Sequence, residues 1–495
     1  MGFAVTSSAV VIGLAGHLVR IEADVCPGPP GFQLIGLPDT TTAPIRDRVR
    51  AAILNSGYTW PDQQVTVTVL PSGLPAYGSA LDAAIAMAVL AAADLIPAKA
   101  LAQTAFLGEL GLDGSLRHVR GLTCAIRTLT GSGISAIAVP AASIDHTGQW
   151  AVIPAASLPD LVDQLNNGPT LTAPPPAAIA EHAPGLDLAD LPGNQPAKRA
   201  LEIAAAGGHH LLLRGRGTAA GLAACLPALL PPLDAAGQTE IYGLYALTEI
   251  PWPGHRPLCT PHYTTTVDAI FGRSTDNGVR PGAVSLAHTG VLFLDDAPEF
   301  ARSVLDGLRY PLDTGEIILA GTGGIVRLPA RFHLVLATHP CPCPTGSCRC
   351  TPVNRQRYLN RLATLRDRIA ITTPIHPHDW SAKPGESTAT VAARVAEARA
   401  RAAHRLTSTP RQPSQPGQAG QTNADLTGLD LRTTHRLDPD ALTPLDPLLR
   451  HGTITPTAMT QLLRLAWTLT DLRAAARPSK DDTRQALRLW QGHPL

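Results

Sequence analysis

Two carboxylates close an apolar run in "GVLFLDDAPEF", residues 290–300. A buried strand would set Asp295 at its carboxyl edge, where the ligands of open α/β sheets sit. There Asp295 can hold Mg²⁺ directly or through water, and Asp296 can orient or activate a water. This is the Walker B pattern; the bland alternative is a strand ending in a solvated acidic turn. Upstream, "LLLRGRGTAAGLAACLPALL" (211–230) runs from an apolar strand through a glycine-bearing turn into an alanine-rich helix. That is the layout of a phosphate-binding loop, with Gly215, Arg216, Gly217, Thr218 and Gly221 as its binding candidates. A working loop reads G-x-x-x-x-G-K-[ST], its lysine reaching the β/γ-phosphates and its hydroxyl binding Mg²⁺. Here the lysine is missing, and none occurs between positions 199 and 382. A helix N-terminus still attracts an anion. Loss of one charge-assisted contact costs about 1.5–3 kcal/mol, roughly ten- to a hundredfold in affinity. Arg214 or Arg216 is the candidate replacement, although a guanidinium is not an ammonium point charge.

A third cluster, "CPCPTGSCRC", puts Cys341, Cys343, Cys348 and Cys350 within ten residues. Four thiolates that close suit tetrahedral Zn²⁺, with C-x-C tighter than the usual C-x₂₋₄-C spacing. The alternatives are reduced thiols or two disulfides. The glycines at 321–324 read as a hairpin turn, and His209 and His210 as positional residues before a buried strand.

The elements that must position these groups follow from periodicity and breakers. "QVTVTVL" (64–70) alternates as a strand, 80–96 reads as an apolar helix, 105–119 as a hairpin around Asp113-Gly114, and 134–140 as a buried strand. Residues 1–165 therefore form an α/β or α+β domain, and the proline-rich stretch 166–186 a linker. In 187–390, "HLLLRG", "TGVLFLDD" and "FHLVLATHP" alternate with helical segments, as a parallel sheet with crossovers requires. Residues 391–495 turn helical, broken by a polar loop at 407–423.

Composition narrows the function classes. With 495 residues, 44% of them hydrophobic, the chain can build several cores. Its net charge of +1 gives no global attraction to nucleic acid or membrane. No apolar stretch reaches ~18 residues without Gly, Pro or charge, so no membrane association is expected. No secretory signal opens the chain, and the cysteines cluster rather than pair at intervals, which suits a reducing cytoplasm.

Together these stretches resemble the magnesium-chelatase-like AAA+ ATPases of the YifB/ComM competence type. The resemblance rests on "FQLIGLPDTTTAPIRDRVRAAILNSGY", "LPAYGSALDAAIAMAVLAA" and "FLGELGLDGSLRHVRG" in the N-terminal region. In the middle it rests on "ADLPGNQPAKRALEIAAAGGHHLLL", "RPGAVSLAHTGVLFLDDAPEF", "LPARFHLVLATHPCPCP" and "RYLNRLATLRDRI", and at the end on "AMTQLLRLAWTLTDL". It implies an N-terminal Lon-protease-like α+β domain, a central AAA+ P-loop-type parallel sheet with flanking helices, and a C-terminal helical lid. Ala80 and Thr123 stand where the protease nucleophile and lysine would be, so proteolysis is not expected.

The resemblance also implies ATP and Mg²⁺ as cofactors, a hexameric ring, and DNA as a partner, the competence member being a DNA helicase. The family's loop GPPGTGKT is here "GRGTAAG", two residues shorter and without the Lys-Thr pair. The catalytic Glu becomes Asp296, the sensor-1 Asn becomes His339, the arginine finger matches Arg368, and Arg464 matches sensor 2. The expectation is a cytoplasmic family protein with impaired hydrolysis, acting in a homo-oligomeric ring or in a mixed ring with an intact paralogue. The competing expectations are an active ATPase or helicase with a variant loop, and a zinc-stabilised binding module with no nucleotide role.

Overall fold

A computed structural model describes residues 2–72, 80–101, 103–147, 150–168, 170–173, 186–217, 219–248, 250–275, 278–321, 324–343, 348–377, 385–407 and 422–493. Most of the 166–186 linker and of the 407–423 loop, and Thr218, lie outside the described residues.

The N-terminal region is built on a seven-stranded mixed sheet. Its strands are β1 (Gly2–Ile12), β2 (Ala15–Cys26), β3 (Gly31–Ile35), β4 (Gln64–Leu70), β5 (Thr104–Phe106), β6 (Ala136–Pro140) and β7 (Ile153–Ala155). They are ordered β3-β4-β2-β1-β5-β6-β7. The alternating opening of the chain forms the antiparallel β1–β2 pair. The wholly buried helix Asp82–Ala92 packs with Ile21, Val65 and Val67 in one apolar cluster. The expected 105–119 hairpin is shorter than its pattern: only Glu109–Leu110 and Leu116–Arg117 pair antiparallel. Residues 104–106 instead join the large sheet in parallel, where Thr104, Ala105 and Phe106 are all buried between β1 and β6. Asp82 is wholly buried; it accepts from Arg48 Nε (2.9 Å) and from the Leu110 N–H (3.3 Å). Burial pushes its carboxyl up to about 6.

The second sheet is all parallel. Its strands are β8 (Leu211–Gly215), β9 (Leu258–Cys259), β10 (Val291–Leu294), β11 (His333–Thr338) and β12 (Ile371–Ile375). The order β9-β10-β11-β8-β12 places β11 between the strands that lead to the loop and to the two aspartates. The inner strands β8, β10 and β11 are largely apolar runs, as a sheet covered on both faces demands, while the edge strand β12 carries the buried Thr372 and Thr373. The helices Gln195–Gly207 and Ala219–Leu229 share one core with the C-terminal helices Thr388–Thr407, Pro456–Leu472 and Lys480–Gln491. Two antiparallel strand pairs, Gly272–Thr275 with Gly278–Pro281 and Glu316–Gly321 with Gly324–Pro329, add apolar residues to the core of this unit; residues 322–323, between the second pair, lie outside the described residues. The two sheet units touch: the Gly121 N–H donates to Ala246 O (3.0 Å), and Tyr242 donates to Asp145 O (2.6 Å).

Three histidines line the amino-terminal edge of this sheet. His209 is 2% exposed and bonds Thr468 through Nε2 (2.7 Å). His210 Nδ1 accepts the Leu334 N–H (3.1 Å), and His333 Nε2 lies 3.5 Å from Arg399 Nη2. Burial first, and Arg464 second, depress His209 to about 3 and His210 to about 4; burial and then Arg399 depress His333 well below its ordinary value. The unfolded chain binds protons at these imidazoles below about 6.5 while the folded one does not, so stability is full above that pH and falls as pH drops. Each histidine contributes a loss of about 1.4 kcal/mol per pH unit between its two pKa values. Asp82 acts oppositely between its unfolded value and about 6, one group against three. The thermal midpoint should therefore fall steadily from pH 6.5 to pH 4, and His209→Gln should make that fall shallower.

Candidate nucleotide site and cysteine cluster

Parallel pairing sets the geometry. Leu294 of β10 is in register with Leu336 of β11, and Ala337 and Thr338 with Leu213 and Arg214 of β8. Three chain segments therefore leave the sheet at one carboxyl edge: the Gly215–Gly217 turn, the Asp295–Asp296 pair, and His339 with the cysteines behind it. Sequence reasoning expected the first two there, and the structure brings all three together.

The loop glycines are held by packing. Gly215 has φ +146°, and a Cβ on it would lie 2.0 Å from the Ile375 carbonyl oxygen. A Cβ on Gly217 would lie 2.4 Å from the carbonyl oxygen of His376. Both positions need glycine for the close approach to the exit of β12, whether or not a phosphate binds. Gly221 sits half-buried inside the helix Ala219–Leu229. Asn194, to which the sequence reading gave no role, clamps the same exit. Its Nδ2 donates to His376 O (2.9 Å) and its Oδ1 accepts the His376 N–H (2.8 Å). Its signal was a short polar residue directly before Gln-Pro at a helix start.

Arg216 does not fill the place of the missing lysine. Arg216 Nη2 donates to the main-chain oxygen of Cys343 at 2.9 Å. Lys198 is buried, its ammonium donating to the carbonyls of Leu188 (2.7 Å) and Leu191 (2.5 Å).

Asp295 is exposed and accepts from the Asp296 N–H (3.0 Å). Asp296 is held in the left-handed region, φ +47°, which aspartate tolerates better than most residues. His339 Nε2 stands 3.3 Å from Asp296 Oδ1, so the residues in the sensor-1 and Walker B positions face each other. His339 Nδ1 is buried without a hydrogen-bond partner.

Arg464 and Arg368 lie elsewhere. Arg464 donates from Nε to Leu426 O (2.7 Å) and acts electrostatically on His209 and His210, just before β8. The loop follows β8, roughly 16 Å along a five-residue strand at ~3.3 Å per residue. The structure thus does not bring Arg464 to this chain's own loop. Arg368 also acts on His210, and its guanidinium grips Asp313, Nε to Oδ1 at 2.7 Å with a second bond from Nη2 to Oδ2. Its carboxylate partner comes from the 309–314 helix, which the fold carries beside it.

The four cysteine sulfurs all lie within 4.8 Å of one another, and Cys343 Sγ and Cys350 Sγ are 3.0 Å apart. Tetrahedral Zn²⁺ with ~2.3 Å bonds needs sulfurs about 3.8 Å apart, so the donor set fits one metal ion after small shifts. Cys341 is buried at the sheet edge and Cys348 is exposed. A hydrogen bond from the Cys341 thiol holds Cys348 down at about 7, while its contact with Cys343 pushes Cys350 up to about 12.

An all-parallel sheet with a glycine loop and paired aspartates at its carboxyl edge fits the α/β fold of AAA+ magnesium-chelatase-like modules. Comparison with known proteins agrees. Residues 187–382 match the family "Magnesium chelatase, subunit ChlI", 21–143 match "Subunit ChlI of Mg-chelatase", and 385–489 match its C-terminal family. The chain is 38% identical over 510 residues to an uncharacterized protein of Mycobacterium tuberculosis, covering 98% of each. It is 35% identical to YifB of Escherichia coli over 494 residues, 95% of this chain and 94% of that one. It is 38% identical to the competence protein ComM of Haemophilus influenzae over 403 residues, 76% and 77% of the two chains. The chain belongs to the magnesium-chelatase-like family of the YifB/ComM type.

One measurement checks the cysteine electrostatics. In metal-free protein, Cys348 should be alkylated by iodoacetamide with half-maximal rate near pH 7, and Cys350 should lag until strongly alkaline pH. Peptide mass spectrometry of time-resolved alkylation reads both rates.

Proposed function

We propose that this protein is an AAA+ family member whose own nucleotide site hydrolyses ATP poorly. It acts as a ring-forming partner in DNA processing, related to the competence function that ComM carries in its name. The observation that carries this reading is the loop: it has no lysine, and Arg216 donates to Cys343 O. Nucleotide binding there would rest on helix N-terminal N–H groups and on Mg²⁺ held by Asp295, with Asp296 and His339 left to orient a water. Mg²⁺ would supply charge neutralisation of the phosphates when bound.

The two distant arginines support the ring. Arg368 and Arg464 sit at the amino-terminal edge of the sheet, the side opposite their own loop. From there they can serve only a nucleotide held by a neighbouring subunit. A finger works in trans by stabilising charge on the transferred phosphoryl group, and that role does not need an intact loop in the same chain. A mixed ring with an intact paralogue uses this geometry fully. The N-terminal unit would be the Lon-like domain, unable to cleave peptides because Ala80 and Thr123 carry no nucleophile or base for it. The C-terminal helices would be the lid, and the cysteine cluster would hold structural Zn²⁺. Arg273 and Arg280 on the 272–281 strand pair supply exposed cations for a nucleic-acid phosphate backbone. Among the described residues no helix is long and apolar enough to cross a membrane, and a cytoplasmic site of action fits this reading.

Phosphate release by the purified chain should run at least a hundredfold below the ~1 s⁻¹ floor of ordinary enzymes, with or without DNA. Turnover near 1 s⁻¹ that disappears in Asp295→Ala refutes the impaired site and favours the variant-loop ATPase. Mixed with an intact paralogue, wild-type protein should raise ATPase activity, and Arg368→Ala should lower that stimulation by about tenfold or more. Metal analysis of protein purified without chelator should give one zinc per chain, lost in the Cys348→Ser/Cys350→Ser double variant.

A further inference from the structure

The cysteine cluster stands where it can control the nucleotide crevice. It continues β11, which lies between β8 and β10, so the chain emerges in the middle of the carboxyl edge. Both walls of the crevice are tied to this one strand exit. From the β8 side, Arg216 reaches across to Cys343 O at 2.9 Å. From the β10 side, Asp296 faces His339 Nε2 at 3.3 Å. Cys341 is only 2% exposed. A triphosphate bridging the helix N-terminus at Ala219 and a Mg²⁺ at Asp295 has to pass over this stretch. Arg216 must then release the Cys343 carbonyl or block the path. The carbonyl belongs to a residue whose own thiol is in the four-sulfur cluster. A metal ion bound by all four sulfurs fixes the Cys343 main chain and with it the acceptor.

We propose that Cys341–Cys343 is an autoinhibitory latch on the nucleotide site, closed by Arg216 and held closed by a thiophilic divalent cation on the four cysteines. The latch rests on the impaired-site reading and adds its cause: the weak site is shut as well as stripped of its lysine. Coupling of this kind is reciprocal. A metal that weakens nucleotide binding is itself weakened by nucleotide, by the same factor. Thiol protons leave as the metal binds, and no electron transfer is involved.

The test titrates a fluorescent ATP analogue with Mg²⁺ into the full-length chain in three forms. These are zinc-loaded wild type, chelator-stripped wild type, and zinc-loaded Arg216→Met, with zinc content and far-UV circular dichroism recorded for each. The latch predicts that the stripped protein and Arg216→Met bind the analogue at least tenfold more tightly than zinc-loaded wild type. It also predicts that Mg·ATP speeds zinc transfer from wild type to a chromophoric chelator. Equal or weaker binding by Arg216→Met overturns the latch even if the stripped protein unfolds. No binding by any form overturns the latch and leaves the impaired site standing. Tight binding with turnover by zinc-loaded wild type overturns both.

Discussion

Everything at the candidate site depends on the parallel pairing of β8, β11 and β10. Parallel strands share an exit edge, so three segments well separated in the chain, at 215–217, 295–296 and 339–343, arrive side by side. The pairing requires apolar residues on both faces, which is why these strands carry so few polar side chains. It also requires covered faces, which the Gln195–Gly207 and Ala219–Leu229 helices and the C-terminal helices supply in a single core. A change that slipped one of these strands by one residue would turn its side chains over and move its exit residue away from the crevice.

The same pairing separates the two ends of the sheet electrostatically. The carboxyl edge carries Asp295, Asp296 and the thiols. The amino-terminal edge carries Arg368, Arg399, Arg464 and three histidines that burial keeps neutral. Arg399 and Arg464 donate to main-chain carbonyls, Ala205 O and Leu426 O, which satisfies part of each guanidinium without a carboxylate at the bond. Arg368 alone takes a paired carboxylate, Asp313, and Asp313 is half exposed. An arginine held that way can exchange its partner for a phosphate more readily than one locked by buried carbonyls.

The retained glycines have a physical explanation independent of catalysis. Gly215 and Gly217 are pinned against Ile375 and His376, and Asn194 fixes His376 from the other side. A loop can therefore lose its lysine and keep its glycines, because the glycines also serve the packing of β8 on β12. The resemblance of the loop to a phosphate cradle is partly a consequence of that packing.

Sequence alone was enough for the family, the three inner strands of the central sheet but not its edge strands β9 and β12, the Asp295–Asp296 pair at a strand end, and the proximity of the four cysteines. Those features are local: an apolar run, a breaker, or thiols within ten residues are visible without a partner. The helical C-terminus and the 316–329 strand pair were legible for the same reason. Tertiary structure alone decided what each charged group does. Arg216 looked available for phosphate until the strand order put Cys343 within its reach. Arg464 looked like a cofactor ligand until α-helical packing set it at the far edge of the sheet. Arg368 found Asp313, 55 residues away, rather than a neighbour in sequence. A guanidinium is long and satisfied by any nearby oxygen, so its partner depends on which segments the fold brings alongside.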